Sequence, residues 1–422
     1  MNLNSFGGIS MENLVRDKSL ESLLIKEKDR QSRVLSLIAS ENYASLDVLH
    51  FQGSLLTNKY AEGDAGKRYY GGCSVVDEIE FLAIERVKKL FSCNYANVQP
   101  HSGSQANAAV FLTLLKPGEK IFGLDLSHGG HLTHGAKVSF SGQIYESIAY
   151  QLNRETGEID YDKIEDLARR ERPRLIIAGY SGYPRTIDWD KFRNIADSIG
   201  AYLLADIAHI AGPIAAGLFP SPLYQADIIS STTHKTLRGP RGGLLLGNLP
   251  ESEMRRFNKS VCPGIQGGPM IHTIAAKAQS FYEALQPKFV SYQNSILENA
   301  KIFAKIFLEN GFRLVANGTD THMILVDLRN HNINGADAEK ILEDCNVIVN
   351  KNMVPGDPLP PQLSSGIRIG TPAITTRGIG LSESKELAKR ICDLLQNPLQ
   401  TTKRRALQNL VSDLVKTFPL PY

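Results

Sequence analysis

The run Ala226-Asp-Ile-Ile-Ser-Ser-Thr-Thr-His-Lys235-Thr-Leu-Arg-Gly-Pro-Arg-Gly-Gly243 reads as a short apolar strand that ends in hydroxyls, a histidine and one lysine, then a glycine-rich turn. Burial disfavours an ammonium. A lysine at a buried strand end therefore suits work as a neutral nucleophile or as an imine, and lysine imines mark pyridoxal-phosphate chemistry. Alone, Lys235 reads more often as an ordinary surface lysine at a strand end. Upstream, Ala201-Tyr-Leu-Leu-Ala-Asp206-Ile-Ala-His209 is a second apolar run, ending in a carboxylate. A pyridoxal ring needs an acid that keeps its pyridine nitrogen protonated. Asp206 is the candidate, against a plain helix N-cap. Further upstream, His101-Ser102-Gly103-Ser104 opens a predicted helix. Backbone N–H groups and the helix dipole favour a phosphate there. Phosphate seat, ring acid and lysine in this chain order carry more weight together than any one alone.

The elements that must position these residues alternate. Apolar runs at Lys120–Asp125, Arg174–Gly179, Ala201–Asp206, Ala226–Ser231 and Gly243–Gly247 predict strands, with helices such as Trp189–Ile199 between some of them. This predicts an α/β fold: a three-layer sandwich with a mostly parallel sheet, cofactor at the strands' carboxyl ends. Ile79, Leu82, Ala83, Val87 and Leu90 give Val75–Phe91 an apolar helical face. Helices at Pro269–Leu285 and Tyr292–Gly311 lead to a smaller C-terminal α/β region. Its predicted strands are Phe312–Val315, Met323–Leu328, Val347–Val349 and Ile367–Ile369. Its predicted helices are Ala336–Asp344, Lys385–Leu395 and Lys403–Val415. The expected division is an N-terminal arm (1–37), a large cofactor domain (38–285) and a small domain (286–422). Residues 1–9 read as disordered. Glu12–Leu37 reads as a helical arm with Leu20, Leu23, Leu24 and Val34 on one stripe, packing on a partner subunit.

Composition bounds the class. The chain has 422 residues, is 42% hydrophobic and 22% charged, and carries a formal net charge of +3. That charge is too small to imply nucleic-acid binding. Five scattered cysteines without a CxxC pair argue against a disulfide framework or a zinc site, and no metal is expected. With no signal pattern or membrane-length apolar run, the expected location is cytoplasmic.

Long stretches then fix a resemblance: Leu37-Ile-Ala-Ser-Glu-Asn-Tyr43, Leu56-Thr-Asn-Lys-Tyr-Ala-Glu-Gly63, Gly66-Lys-Arg-Tyr-Tyr-Gly-Gly-Cys73, Ala96-Asn-Val-Gln-Pro-His-Ser-Gly-Ser-Gln-Ala-Asn107, His128-Gly-Gly-His-Leu-Thr-His-Gly135, Thr233-His-Lys-Thr-Leu and Val349-Asn-Lys-Asn352. From about Leu35 onward the chain resembles the serine hydroxymethyltransferases, pyridoxal-phosphate enzymes of the aspartate-aminotransferase fold type. The resemblance implies conversion of L-serine and tetrahydrofolate to glycine and 5,10-methylenetetrahydrofolate. It implies pyridoxal 5'-phosphate covalently on Lys235, with His131 on the ring face and His134 only a loop histidine. Ser102, Gly103 and Ser104 would seat the phosphate, with Gly268 added from the neighbouring subunit. Ser181, His209 and His234 would border the cofactor, and Thr232 would assist exchange at the imine.

Arg368, with Ser40 and His209, would hold the substrate carboxylate, since a guanidinium fork binds carboxylates bidentately. Glu62, from the second subunit, would manage the proton of the substrate hydroxyl or of the folate nitrogen. Tyr60 and Tyr70 would enter with it. Leu126, Gly130 and Asn352 match folate-contacting positions, and Arg241 matches a family arginine near the site. A shared site implies at least a homodimer, with a tetramer open. Departures from the family pattern are Ile265 for a glycine, Ser231 for a threonine, Asp64-Ala65 for Tyr-Pro, and Gln362 for an aromatic. The last bears on folate affinity rather than reaction type. Two alternatives stand beside this reading: a folate-independent aldolase for 3-hydroxy amino acids such as threonine, and a non-catalytic binding or regulatory protein on the same fold.

Overall fold

The structure is a computed structural model that describes residues 17–422 together with the backbone of residues 5–6 and 9–10. The expected disorder of residues 1–9 falls largely outside these residues; within them Ser5–Phe6 pairs with Ile9–Ser10. A seven-stranded sheet forms the centre. Its order is Tyr95–Asn97, Gly243–Gly247, Ile228–Thr232, Tyr202–Asp206, Leu175–Gly179, Lys120–Leu124, Glu146–Tyr150. Only Gly243–Gly247 runs antiparallel to its neighbours. The runs Leu175–Gly179, Ile228–Thr232 and Gly243–Gly247 are buried at every residue, as a sheet covered on both faces requires. Successive side chains feed opposite cores. Ile176, Leu203, Ile229 and Leu244 join one cluster, and Leu175, Leu204, Ile228 and Leu245 join the other. Parallel pairing brings Gly179, Asp206 and Ser230 level with one another at one edge of the sheet.

A second sheet is antiparallel: Arg313–Leu314, Met323–Asp327, Gly366–Gly370, Asn350–Asn352. Its core joins Ile324, Val326, Ile367 and Ile369 to helices Leu381–Gln396 and Thr401–Thr417. Helix Pro287–Glu309 spans both cores, with Phe289 in the first and Phe303 and Phe307 in the second. Leu35 and Leu37 also lie in the second core, and Leu35–Ser36 pairs in parallel with Val347–Ile348.

Several elements differ from expectation. The arm helix spans Lys18–Arg33 and leaves Leu20, Leu23 and Leu24 exposed, but Val34 lies beyond its end in extended backbone and is buried. Leu82 is 41% exposed; the buried face of helix Ser74–Phe91 is Val76, Glu80, Ala83, Val87, Leu90 and Phe91. A buried Glu on that face is explained by Arg68, which pairs with it. Strand Glu146–Tyr150 is unexpected because it is a half-exposed edge whose alternation is weak.

Candidate functional site

Lys235 follows the end of strand Ile228–Thr232 by three residues and is 9% exposed. Its Nζ has no hydrogen-bond or ion-pair partner among the described residues. Burial lowers its pKa to about 8, with Asp206 acting in the opposite sense and Arg368 and Arg241 in the same one. The amine is thus poised to lose its proton near neutrality, as a nucleophile requires.

Asp206 ends strand Tyr202–Asp206. Its Oδ2 accepts from His134 Nε2 at 2.9 Å and Asn107 Nδ2 at 3.0 Å, and its Oδ1 from Ala208 N–H at 3.1 Å. Burial opposes its charge, but the His134 and Asn107 hydrogen bonds win and hold the carboxyl well below the usual range. It caps no helix: the next one, Ala211–Ala215, begins after Ile210. His134 is therefore more than a loop histidine. It is buried, and it supports the very carboxylate singled out as ring acid. Asn107 was not foreseen either. It is brought in by the inner face of helix Gly103–Leu114, and Thr133 Oγ1 joins it (2.8 Å) to His131 Nδ1 (2.7 Å). Burial pushes His131 down to about 4, so its ring is neutral at physiological pH.

Ser102 caps helix Gly103–Leu114, its Oγ accepting from Gln105 N–H at 3.2 Å. The N–H groups of Gly103 and Ser104 have no acceptor among the described residues. A Cβ on Gly103 would meet Thr232 Cγ2 at 2.6 Å, so glycine is required for strand and turn to touch. The turn is a cradle of free donors at a helix N-terminus, the geometry that receives a phosphate.

Arg368 lies in strand Gly366–Gly370 and reaches across to the large sheet's edge. Its Nη1 donates to Ser181 O at 2.5 Å and its Nε to Asn350 Oδ1 at 3.1 Å. No carboxylate pairs with it among the described residues, and burial lowers its pKa to about 10. A buried guanidinium without a counter-ion is costly unless an anion arrives. Beside it, Ser181 and Gly182 donate their N–H groups to Gly129 O, and Asn352 lies against Gly182. Gly130 packs where a side chain would strike Leu124 O. Leu126 is 48% exposed at the mouth of this segment. His209 faces His322, ring nitrogens 3.3 Å apart; burial and the Lys235 and Arg368 charges keep both neutral. His322 sits just before a strand of the second sheet and carried no local signal.

Other expected residues gather elsewhere. Tyr60 and Tyr70 donate their hydroxyls to Glu62 at 3.2 Å each. Both tyrosines are exposed, 58% and 48%. Gly268 packs against the Tyr60 ring and Gly267 against Glu62. No hydrogen bond, ion pair or ring contact joins Tyr60, Glu62 or Tyr70 to Lys235, Asp206, His131 or Arg368. Ser40 lines a cavity of about 510 Å³ with His234 and the exposed Arg241. Asn42, on the same wall, donates to Lys235 O at 3.0 Å. No group of three or more His, Cys, Asp or Glu residues able to hold a metal occurs among the described residues. No helix there is long and apolar enough to cross a membrane.

Comparison with known proteins agrees with this chemistry. The family model described as serine hydroxymethyltransferase matches residues 14–391. The chain is 55% identical to a serine hydroxymethyltransferase of Methylococcus capsulatus, over 96% of this chain and 97% of the relative. It is 54% identical to serine hydroxymethyltransferase 1 of Pseudomonas fluorescens, over 98% and 99%. A Prochlorococcus marinus relative of the same name is 53% identical over 96% and 95%.

Proposed function

This chain belongs to the serine hydroxymethyltransferase family, and on that premise we propose that it converts L-serine and tetrahydrofolate to glycine and 5,10-methylenetetrahydrofolate with Lys235 as the amine that holds pyridoxal 5'-phosphate. Near-full-length identity favours this transferase reading over an aldolase or a non-catalytic protein. The observation that carries the residue assignment is that buried Lys235 and half-buried Arg368 each lack a hydrogen-bonded or ion-paired carboxylate among the described residues. Lys235 has no partner for its amine, and Arg368 has none for its charge. An aldehyde and a carboxylate are what each lacks.

The cofactor, when bound, supplies an aldehyde for the lysine and a ring that accepts the electron pair freed when the bond between Cα and the hydroxymethyl carbon breaks. The chain's residues do the rest. Asp206, held ionised by His134 and Asn107, would keep the cofactor's pyridine nitrogen protonated. His131, neutral and oriented by Thr133, would stack against the cofactor. Ser102, Gly103 and Ser104 would hold the phosphate, with Gly268 added from the partner. Thr232, packed against Gly103, would assist the lysine. Ser181, His209 and His234 border the cofactor. Arg368 grips the substrate carboxylate in a fork, with Ser40 and His209 at its margin.

Glu62 takes the proton of the substrate hydroxyl or of the folate nitrogen, and Tyr60 and Tyr70 orient it. Leu126, Gly130 and Asn352 receive the folate. We propose that the Tyr60–Glu62–Tyr70 group serves the site of a second subunit in a homodimer. Its exposure and its separation from Lys235 support that, as does the uncovered Leu20, Leu23 and Leu24 face of the arm. The proposed division is 1–37, 38–285 and 286–422, supported by the separate antiparallel sheet of the C-terminal part, although Met323, Leu325 and Val354 also pack into the first core and Leu35 and Leu37 into the second. The proposed location is cytoplasmic. Serine cleavage assayed with and without tetrahydrofolate tests the reaction. Cleavage that depends on folate is expected; equal rates without it would establish the aldolase instead.

A further inference from the structure

A second buried lysine lies outside the constellation above. Lys277, on helix Ile271–Ala284, is 1% exposed. Its ammonium donates to three backbone carbonyls: Val98 O at 2.6 Å, Gly243 O at 2.9 Å and Pro100 O at 3.0 Å. All three of its hydrogens are used, and all three acceptors are main chain. Val98 and Pro100 belong to the segment that runs into Ser102 and Gly103. Gly243 is the floor of that turn, since a side chain there would strike Ser102 O. Pro100 O also accepts from Gly243 N–H at 2.9 Å, so lysine, turn and floor form one hydrogen-bonded unit.

The charge sits beside like charge. A helix N-terminus already carries partial positive charge, and helix Gly103–Leu114 begins three residues after Pro100. A buried ammonium beneath it adds like charge. Three carbonyls compensate it locally, and the Glu80 carboxylate acts on it from helix Ser74–Phe91. The arrangement becomes favourable overall once an anion occupies the turn. Any neutral residue able to donate could have orientated carbonyls; only a cation also strengthens an anion site.

We propose that Lys277 is a positioning residue for the phosphate seat, fixing the peptide planes that lead into Ser102–Gly103 and lending the seat a buried positive charge. This rests on the reading of Ser102–Ser104 as that seat. It implies that Lys277 acts on the phosphate and not on the aldehyde, which belongs to Lys235.

The test compares two ligands on cofactor-free protein: pyridoxal 5'-phosphate and pyridoxal, which lacks the phosphate. The readout is the ratio of their dissociation constants, followed by absorbance of the lysine adduct. Lys277→Met should weaken pyridoxal 5'-phosphate by about tenfold or more while leaving pyridoxal within about twofold, because only the former brings a dianion to a buried charge. A general structural defect would weaken both alike, and that result, or an unchanged ratio, overturns the proposal. Gly242→Ala gives a second handle should the methionine variant fail to fold. A Cβ at Gly242 would strike Lys277 Cε and lie 2.9 Å from its Nζ, displacing the ammonium without removing it. It should likewise raise the dissociation constant of pyridoxal 5'-phosphate relative to that of pyridoxal. Wild-type protein that fails to distinguish the two ligands would instead refute the seat itself.

Discussion

Two lysines are buried in this molecule, and their surroundings differ completely. Lys277 gives its three hydrogens to three carbonyls, and Lys235 gives its own to nothing. Burial depresses both pKa values. Burial and a shifted pKa therefore do not separate chemistry from architecture here; the satisfaction of the donors does. Burial pushes Lys277 down to about 7, below Lys235 at about 8, so burial alone would make Lys277 the readier to lose a proton. Its three carbonyl partners can only accept, which favours the charged form, and on that ground Lys277 stays a cation. Lys235 has no such hydrogen bonds; burial and the Arg368 and Arg241 charges outweigh the field of Asp206, and so it is ready to give its proton up. The same criterion separates two partly buried arginines. Arg68 is 2% exposed in its side chain and paired with Asp77 and Glu80, whereas Arg368 has no carboxylate.

The largest effect expected is on Lys235. Lys235→Ala should lower steady turnover by about three orders of magnitude or more, as loss of a covalent nucleophile does. A normal rate and normal cofactor colour in that variant would make the two lysines equivalent. Asp206→Asn comes next, with a loss on the order of several kcal/mol of transition-state stabilisation, since a charge acts strongly in a water-poor site. Because Asp206 raises the pKa of Lys235, the same variant should move the lysine's titration midpoint below 8 in cofactor-free protein. An unmoved midpoint would detach the carboxylate from the amine.

Glu62→Gln should retain the cofactor yet lose most folate-dependent serine cleavage. Mixed dimers of Glu62→Gln and Lys235→Ala should regain activity, since one of the two shared sites carries neither defect. Verified mixed dimers as inactive as their parents would put Glu62 and Lys235 in the same subunit's site. The smallest effect is on stability. In cofactor-free protein, folded Lys235 loses its proton through about pH 8, whereas the unfolded chain holds it to about 10.4. Between these values the unfolded state binds more protons, so Lys235 makes stability rise with pH. The melting temperature of Lys235→Ala relative to wild type should thus be highest near neutrality and fall by a few degrees toward pH 10. A pH-independent difference would show that the folded lysine titrates normally.

What the sequence revealed and withheld follows from distance along the chain. Lys235 and Asp206 were legible because each ends an apolar run, so strand pattern and chemistry coincide, and the Ser102 turn because small residues and a glycine open a helix there. His134 and Asn107 reach Asp206 across 72 and 99 residues, and nothing local distinguishes a histidine that will meet a carboxylate from one in a loop. Lys277 was equally silent: its helix has no strand-end signal, and its partners are carbonyls, which no side-chain pattern encodes. His322 became a neighbour of His209 only through the packing of the two sheets. Among elements, the long apolar strands were clear, while the half-exposed edge Glu146–Tyr150 and the three-residue strand Tyr95–Asn97, buried but with too little apolar sequence to mark it, were not.

The contrast between the two lysines is tested most directly by trapping. Cofactor-free protein is incubated with pyridoxal 5'-phosphate across a pH series and reduced with borohydride, and the modified peptides are located by mass spectrometry. The adduct should lie on Lys235, with none on Lys277, and its rate of formation should reach half-maximum near pH 8, where the amine loses its proton. An adduct on Lys277, or one spread over exposed lysines with a midpoint near that of an ordinary lysine, would contradict the assignment of Lys235 as the free amine of the site.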